Sequence, residues 1–84
     1  MQMIYNSESY CVVEFKVDDT PDGRRSGFEI MDKAARREIF LEGAMATRFR
    51  ENVSRLIAGQ PSEEEVDDFL SRFDGLMLQP LVLH

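Results

Sequence analysis

Hydrophobic positions recur mostly every second residue through residues 1–42 and every third or fourth from residue 44 onward, so the chain passes from strand to helix periodicity near Gly43. In the second half, Met45, Phe49, Val53, Leu56 and Ile57 form one apolar stripe, and Val66, Phe69, Leu70, Phe73 and Met77 form another. Each stripe fits a helix of about 3.6 residues per turn. Between them, Gly59 is expected to end the first helix in a left-handed conformation. Pro61 then stops its continuation, and Ser62 with Glu65 opens the second helix as a capping box. So short a connector makes the helices antiparallel neighbours, with Phe49 and Phe73 at mid-stripe expected in the core.

The first half reads as two strand pairs. Residues 1–6 and 10–17 are separated by Ser7, Glu8 and Ser9, which is hairpin spacing. In the second run Cys11, Val13, Phe15 and Val17 are expected to face inward, leaving Tyr10, Val12, Glu14 and Lys16 on a mixed outer face. Residues 18–27 combine Pro21, Asp22 and Gly23 with several charges and form the long loop. Residues 28–33 and 37–42 make the second pair, with Phe28 and Ile30 opposite Glu29 and Met31, and Ile39 and Leu41 opposite Glu38 and Phe40. A short helix over residues 32–40 competes with that hairpin, since Ala, Arg and Glu favour helices. Gln79 and Pro80 should stop the second helix, after which residues 80–84 form an apolar tail suited to a fifth strand at the sheet edge. Strands followed by helices predict an α+β fold, ββββαα, in which an antiparallel sheet of four strands is covered on one face by a C-terminal helical hairpin.

Composition adds limits. A chain of 84 residues has room for a single domain, residues 1–84, with one modest core. Its net charge of -6 is unevenly spread: residues 24–55 carry eight Lys or Arg against five Asp or Glu, and residues 58–84 carry one against six. Cys11 is the lone cysteine and makes no internal disulfide, and no run of about 18 apolar residues or leader pattern is present. These features lead us to expect a cytoplasmic protein without a membrane segment.

No constellation specifies a chemistry. One His at the C-terminus and one Cys in a strand do not make a transition-metal site. The acidic run Glu63, Glu64, Glu65, Asp67 and Asp68 sits where a helix N-terminus favours carboxylates and lacks the glycine-centred calcium loop. No serine lies in a G-x-S-x-G elbow, and Gly23 and Gly27 precede a strand rather than a helix, so neither a nucleophile nor a phosphate loop is expected. The expectation is no catalytic, cofactor-binding or metal-binding residue and no small-molecule ligand. A nucleic-acid-binding regulator is the alternative, using Arg24, Arg25, Lys33, Arg36, Arg37, Arg48 and Arg55 with Tyr5, Tyr10 and Phe40 as stacking surfaces. The net negative charge stands against it.

Taken together, the opening MQMIYNSESYCVVEF, the central FEIMDK and REIFLEG, the helical PSEEEVDDFL and the closing QPLVLH resemble a family of short, mainly beta-proteobacterial proteins classed as a domain of unknown function. The resemblance spans residues 1–84 and implies no activity, cofactor or site residue. What remains is a non-enzymatic protein-protein interaction module whose partner is another protein or a second copy in a homodimer. Its expected contact surface is the open sheet face, with Tyr10, Val12, Met31 and Phe40, together with Arg36 and Arg37 at the hairpin tip.

Overall fold

Two tight turns, each held by a short polar side chain, set the register of the sheet in the computed structural model, which describes residues 2–15, 27–77 and 79–80. Strands β1 (Gln2–Asn6) and β2 (Tyr10–Phe15) pair antiparallel. In the turn between them, the Ser7 hydroxyl accepts the backbone N–H groups of Ser9 at 3.2 Å and Tyr10 at 3.0 Å. Strands β3 (Gly27–Asp32) and β4 (Arg37–Glu42) close across residues 33–36. There Asp32 Oδ1 accepts the Ala35 N–H at 3.0 Å and Arg36 adopts a left-handed φ of 55°. Residues 32–40 are therefore a hairpin and not a helix, because Asp32 supplies the turn with a backbone partner that a helix would not need. Gly27 is required for sterics, since a Cβ there would lie 2.2 Å from the carbonyl oxygen of Leu41 on the neighbouring strand.

With β5 (Gln79–Pro80) against β4, the sheet runs β1, β2, β3, β4, β5 in sequence order. A proline is tolerated at this position because β5 is an edge. The strand begins at Gln79, one residue before the expected tail, and Pro80 is the one tail residue seen in it; residues 81–84, on which the rest of the fifth-strand expectation falls, lie outside the described residues, as do Lys16, Val17 and the long loop up to residue 26.

Helix α1 (Ala44–Ala58) begins after Gly43, whose φ of 63° and ψ of -135° suit only glycine, and ends at Gly59. Gly59 is not the left-handed residue; its φ is -84°, and Gln60 takes the left-handed position with φ 53°. Helix α2 (Glu63–Ser71) opens as expected, with the Ser62 hydroxyl accepting the Glu65 N–H at 3.2 Å, but it ends six residues before Met77. The Arg72 and Phe73 N–H groups bond to the carbonyls of Phe69 and Leu70, three residues back, and a 3-10 turn (Asp74–Leu76) follows. That tightening directs Phe73 against Phe49 and carries Met77 into the core.

The core lies between the sheet and the helices. Phe49 is almost fully buried, with ring centroids of Phe28 at 4.9 Å, Phe73 at 5.5 Å and Phe69 at 6.0 Å. Aromatic pairs of this kind contribute about 0.5 to 1.5 kcal/mol each beyond their buried area. The α1 stripe is narrower than the spacing implies, for Ala46 is buried while Met45 and Ile57 are exposed. The expected parity of β2 is reversed. Val12 is the cross-strand partner of Ile30 and Tyr10 that of Asp32, so Tyr10 and Val12 join Phe28, Ile30 and Leu41 beneath the helices. Cys11 and Val13 lie on the far face, where they are nonetheless buried.

Phe49→Ala should cost about 3 to 5 kcal/mol, and Phe73→Ala, at a half-buried position, clearly less. Urea midpoints check this, and equal losses would contradict the central place of Phe49. Ser62→Ala should cost about 0.5 to 2 kcal/mol while Ser62→Asp stays near neutral.

Candidate functional site

Hydroxyl groups on β1, β2 and their turn meet carboxylates on the C-terminal segment. The Tyr5 hydroxyl donates to Asp67 Oδ1 at 2.8 Å and to the Glu63 carbonyl at 3.2 Å. Buried Ser7 donates to the same Asp67 oxygen at 2.8 Å. The Tyr10 hydroxyl donates to both oxygens of Asp74, at 3.0 and 3.2 Å. Asp32, buried at the end of β3, adds a second carboxylate that acts on Asp74. At the same end, the Lys33 ammonium donates to the Asn6 side chain and to the Ser7 carbonyl at 2.6 Å, joining the two turns.

Charge in this seam follows from burial. Desolvation, reinforced by the bond to Asp67, pushes the Tyr5 hydroxyl from 10.0 up to about 12, and the same two effects with Asp74 push Tyr10 upward as well. Both tyrosines stay protonated donors at neutral pH. Burial also raises the Asp74 carboxyl above its ordinary 3.8; Asp32 raises it further and the Tyr10 hydrogen bond opposes. The seam is a clamp in which each hydroxyl donates to a carboxylate, Tyr5 and Ser7 sharing one oxygen of Asp67. Burial likewise pushes the Cys11 thiol up, so at neutral pH it is not a thiolate nucleophile. Among the described residues, no three His, Cys, Asp or Glu side chains are placed to hold a metal ion, and no helix is long and apolar enough to cross a membrane.

Beside the clamp lies an apolar opening of about 110 Å³. Its walls are Ile4, Tyr5 and Val12 from the sheet, Phe49, Val53, Leu56 and Ile57 from α1, and Val66, Phe69 and Leu70 from α2. Two of these residues stay open to solvent at its rim, Ile4 at 42% and Ile57 at 62% exposure, and Met3 beside them is 57% exposed. β1 bulges between Met3 and Tyr5, which turns Ile4 out of the regular ladder. A broader groove of about 830 Å³ between the helices is lined by side chains of both signs, among them Arg55, Arg72, Glu64 and Asp68.

The residues expected on one contact surface are dispersed. Tyr10 and Val12 are buried under the helices, because β2 has the opposite parity to that expected. Met31 is half-buried and Phe40 is 45% exposed on the far face, where its ring packs tilted against Phe15 at 5.4 Å. Arg36 and Arg37 are exposed at the hairpin tip. Of the other basic residues, Arg50 pairs with Glu14 at 2.9 Å and lies 5.2 Å over the Phe28 ring, while Arg24 and Arg25 lie outside the described residues. Ile4 at the opening and Asp67 and Asp74 in the clamp carry no signal in the hydrophobic periodicity. Ile57 fits the α1 stripe by spacing, and the sequence sign of the clamp is one tyrosine in each of the first two strands against a C-terminal segment rich in carboxylates.

The fold and clamp define a small α+β protein, an antiparallel meander closed on one face by two helices, the second of which is tied to the sheet by hydroxyl–carboxylate bonds. The family described as "Protein of unknown function (DUF3567)" matches residues 1–84, and the chain belongs to it. Protein BTH_I0359 of Burkholderia thailandensis is 59% identical over 85 residues and covers the whole of both chains, in keeping with the beta-proteobacterial resemblance. No solved structure matches the chain.

The pH dependence of the clamp follows from Asp74. A folded-state value raised above 3.8 means the protonated carboxyl contributes stability below that pH, and the contribution is lost as pH rises through the folded value. Urea unfolding at stepwise pH from acid to neutral should therefore show this contribution decline, and Asp74→Asn should flatten the decline. An unchanged slope in Asp74→Asn would contradict the assignment.

Proposed function

We propose that this protein is a non-enzymatic interaction module that binds another protein at the apolar opening beside β1. The observation that carries the reading is the opening with its exposed Ile4 and Ile57, a contiguous apolar surface of the kind that marks contact sites on small proteins. Strand β1 is also an outer strand and includes no Lys, Arg, Asp, Glu or Pro, the residues that usually protect a sheet edge, although its bulge supplies some protection. The bulge disfavours simple strand addition and favours insertion of a side chain beside Ile4. The module acts in the cytoplasm, which its lone cysteine supports.

Photo-crosslinking tests the surface position by position. A photoreactive side chain at position 57 or 4 should give discrete protein adducts in cells, whereas the same group at position 40 or 36 should not. An adduct of twice the chain's own mass would identify a second copy as the partner. Adducts from position 40 with none from position 57 would move the contact to the far sheet face and contradict the proposal. Ile57→Ser should change stability by no more than about 0.5 kcal/mol, because the side chain is mostly in solvent.

A further inference from the structure

Position along α2 sorts its carboxylates. Residues 63, 66, 67 and 70 recur at i, i+3, i+4 and i+7, so Glu63 and Asp67 run alongside Val66 and Leu70, which line the opening. Tyr5 fixes this placement, since it lines the opening while its hydroxyl reaches the Glu63 carbonyl and the Asp67 carboxylate. The opening thus has an acidic margin from α2 and an uncharged margin from β1. α2 itself contains no Lys or Arg, and among the described residues Glu63 makes no ion pair. Lys33 is engaged by Asn6 and Ser7 at the turn end of β1.

We propose that the occupant of the opening is a basic amphipathic segment of a partner protein, which sets one aliphatic side chain between Ile4 and Ile57 and Lys or Arg side chains along Glu63 and Asp67. This rests on the reading of the opening as a protein contact surface and adds the chemistry of the partner. A cavity of about 150 Å³ takes a benzene ring, so 110 Å³ suits a branched aliphatic side chain. A second copy is a poorer occupant, because a twofold contact sets the same patch on both partners and, among the described residues, no Lys or Arg lines the opening to meet the acidic margin. Complementary charge instead draws in a basic segment and excludes an acidic one.

The test uses short amphipathic helical peptides with leucines at i, i+3, i+4 and i+7 and lysine elsewhere, followed by methyl NMR of the full chain. The leucine–lysine peptide should shift the methyl signals of Ile4, Val53 and Ile57. Its affinity should fall at least about ten-fold when glutamate replaces lysine, and should weaken with added salt and in Glu63→Gln. If the leucine–glutamate peptide binds the opening as tightly, the partner chemistry is overturned while the contact surface stands. If an alanine–lysine peptide binds as tightly, the aliphatic anchor is overturned. If neither leucine peptide moves these methyl signals, both this inference and the contact surface fall.

Discussion

Which face of the sheet the helices cover depends on where the hydroxyls of Tyr5 and Tyr10 find carboxylates. From Tyr10 to Val13 strand β2 is apolar on both faces, so hydrophobic burial alone separates the two parities only weakly. Burying Tyr10 beneath the helices removes the larger side chain from water, and its hydroxyl would be costly there without a partner. Asp74 supplies that partner, and Asp67 does the same for Tyr5 and Ser7. Hydrogen bonds to charged groups contribute about 1.5 to 3 kcal/mol each, enough to decide between two nearly balanced packings.

The clamp also explains the opening. It holds α2 to the β1 side of the sheet through polar contacts, and Ile4 of β1 and Ile57 at the end of α1 both line the opening beside it. The bulge at Ile4 prevents that side chain from closing the gap as a regular strand residue would. Polar anchoring of one helix thus leaves apolar surface uncovered on the other.

Much of the fold was legible from periodicity. The strands, the α1 boundaries, the Ser62 cap and the burial of Phe49 follow from local rules that involve few long-range choices. Three features were not legible for physical reasons. The parity of β2 was ambiguous because alternation fails when both faces are apolar. The end of α2 was overextended because Phe73 and Met77 keep helical spacing while the backbone tightens into a 3-10 turn. Ile57 fits the α1 stripe yet lies beyond the edge of the surface that could cover it. The candidate site was less legible still, since it depends on contacts between residues about 60 positions apart in the chain.

Family membership and the 59% identical relative extend over the whole chain without naming an activity, so surface chemistry carries the functional account. That account depends most directly on an apolar opening formed by the Val12 face of β2 and left open beside β1. Xenon under moderate pressure, which occupies dry apolar cavities, tests it by methyl NMR. The account predicts saturable shifts at Ile4, Val12, Val53 and Val66. Shifts confined to Val13 and Met31, or none at any methyl group, would contradict it.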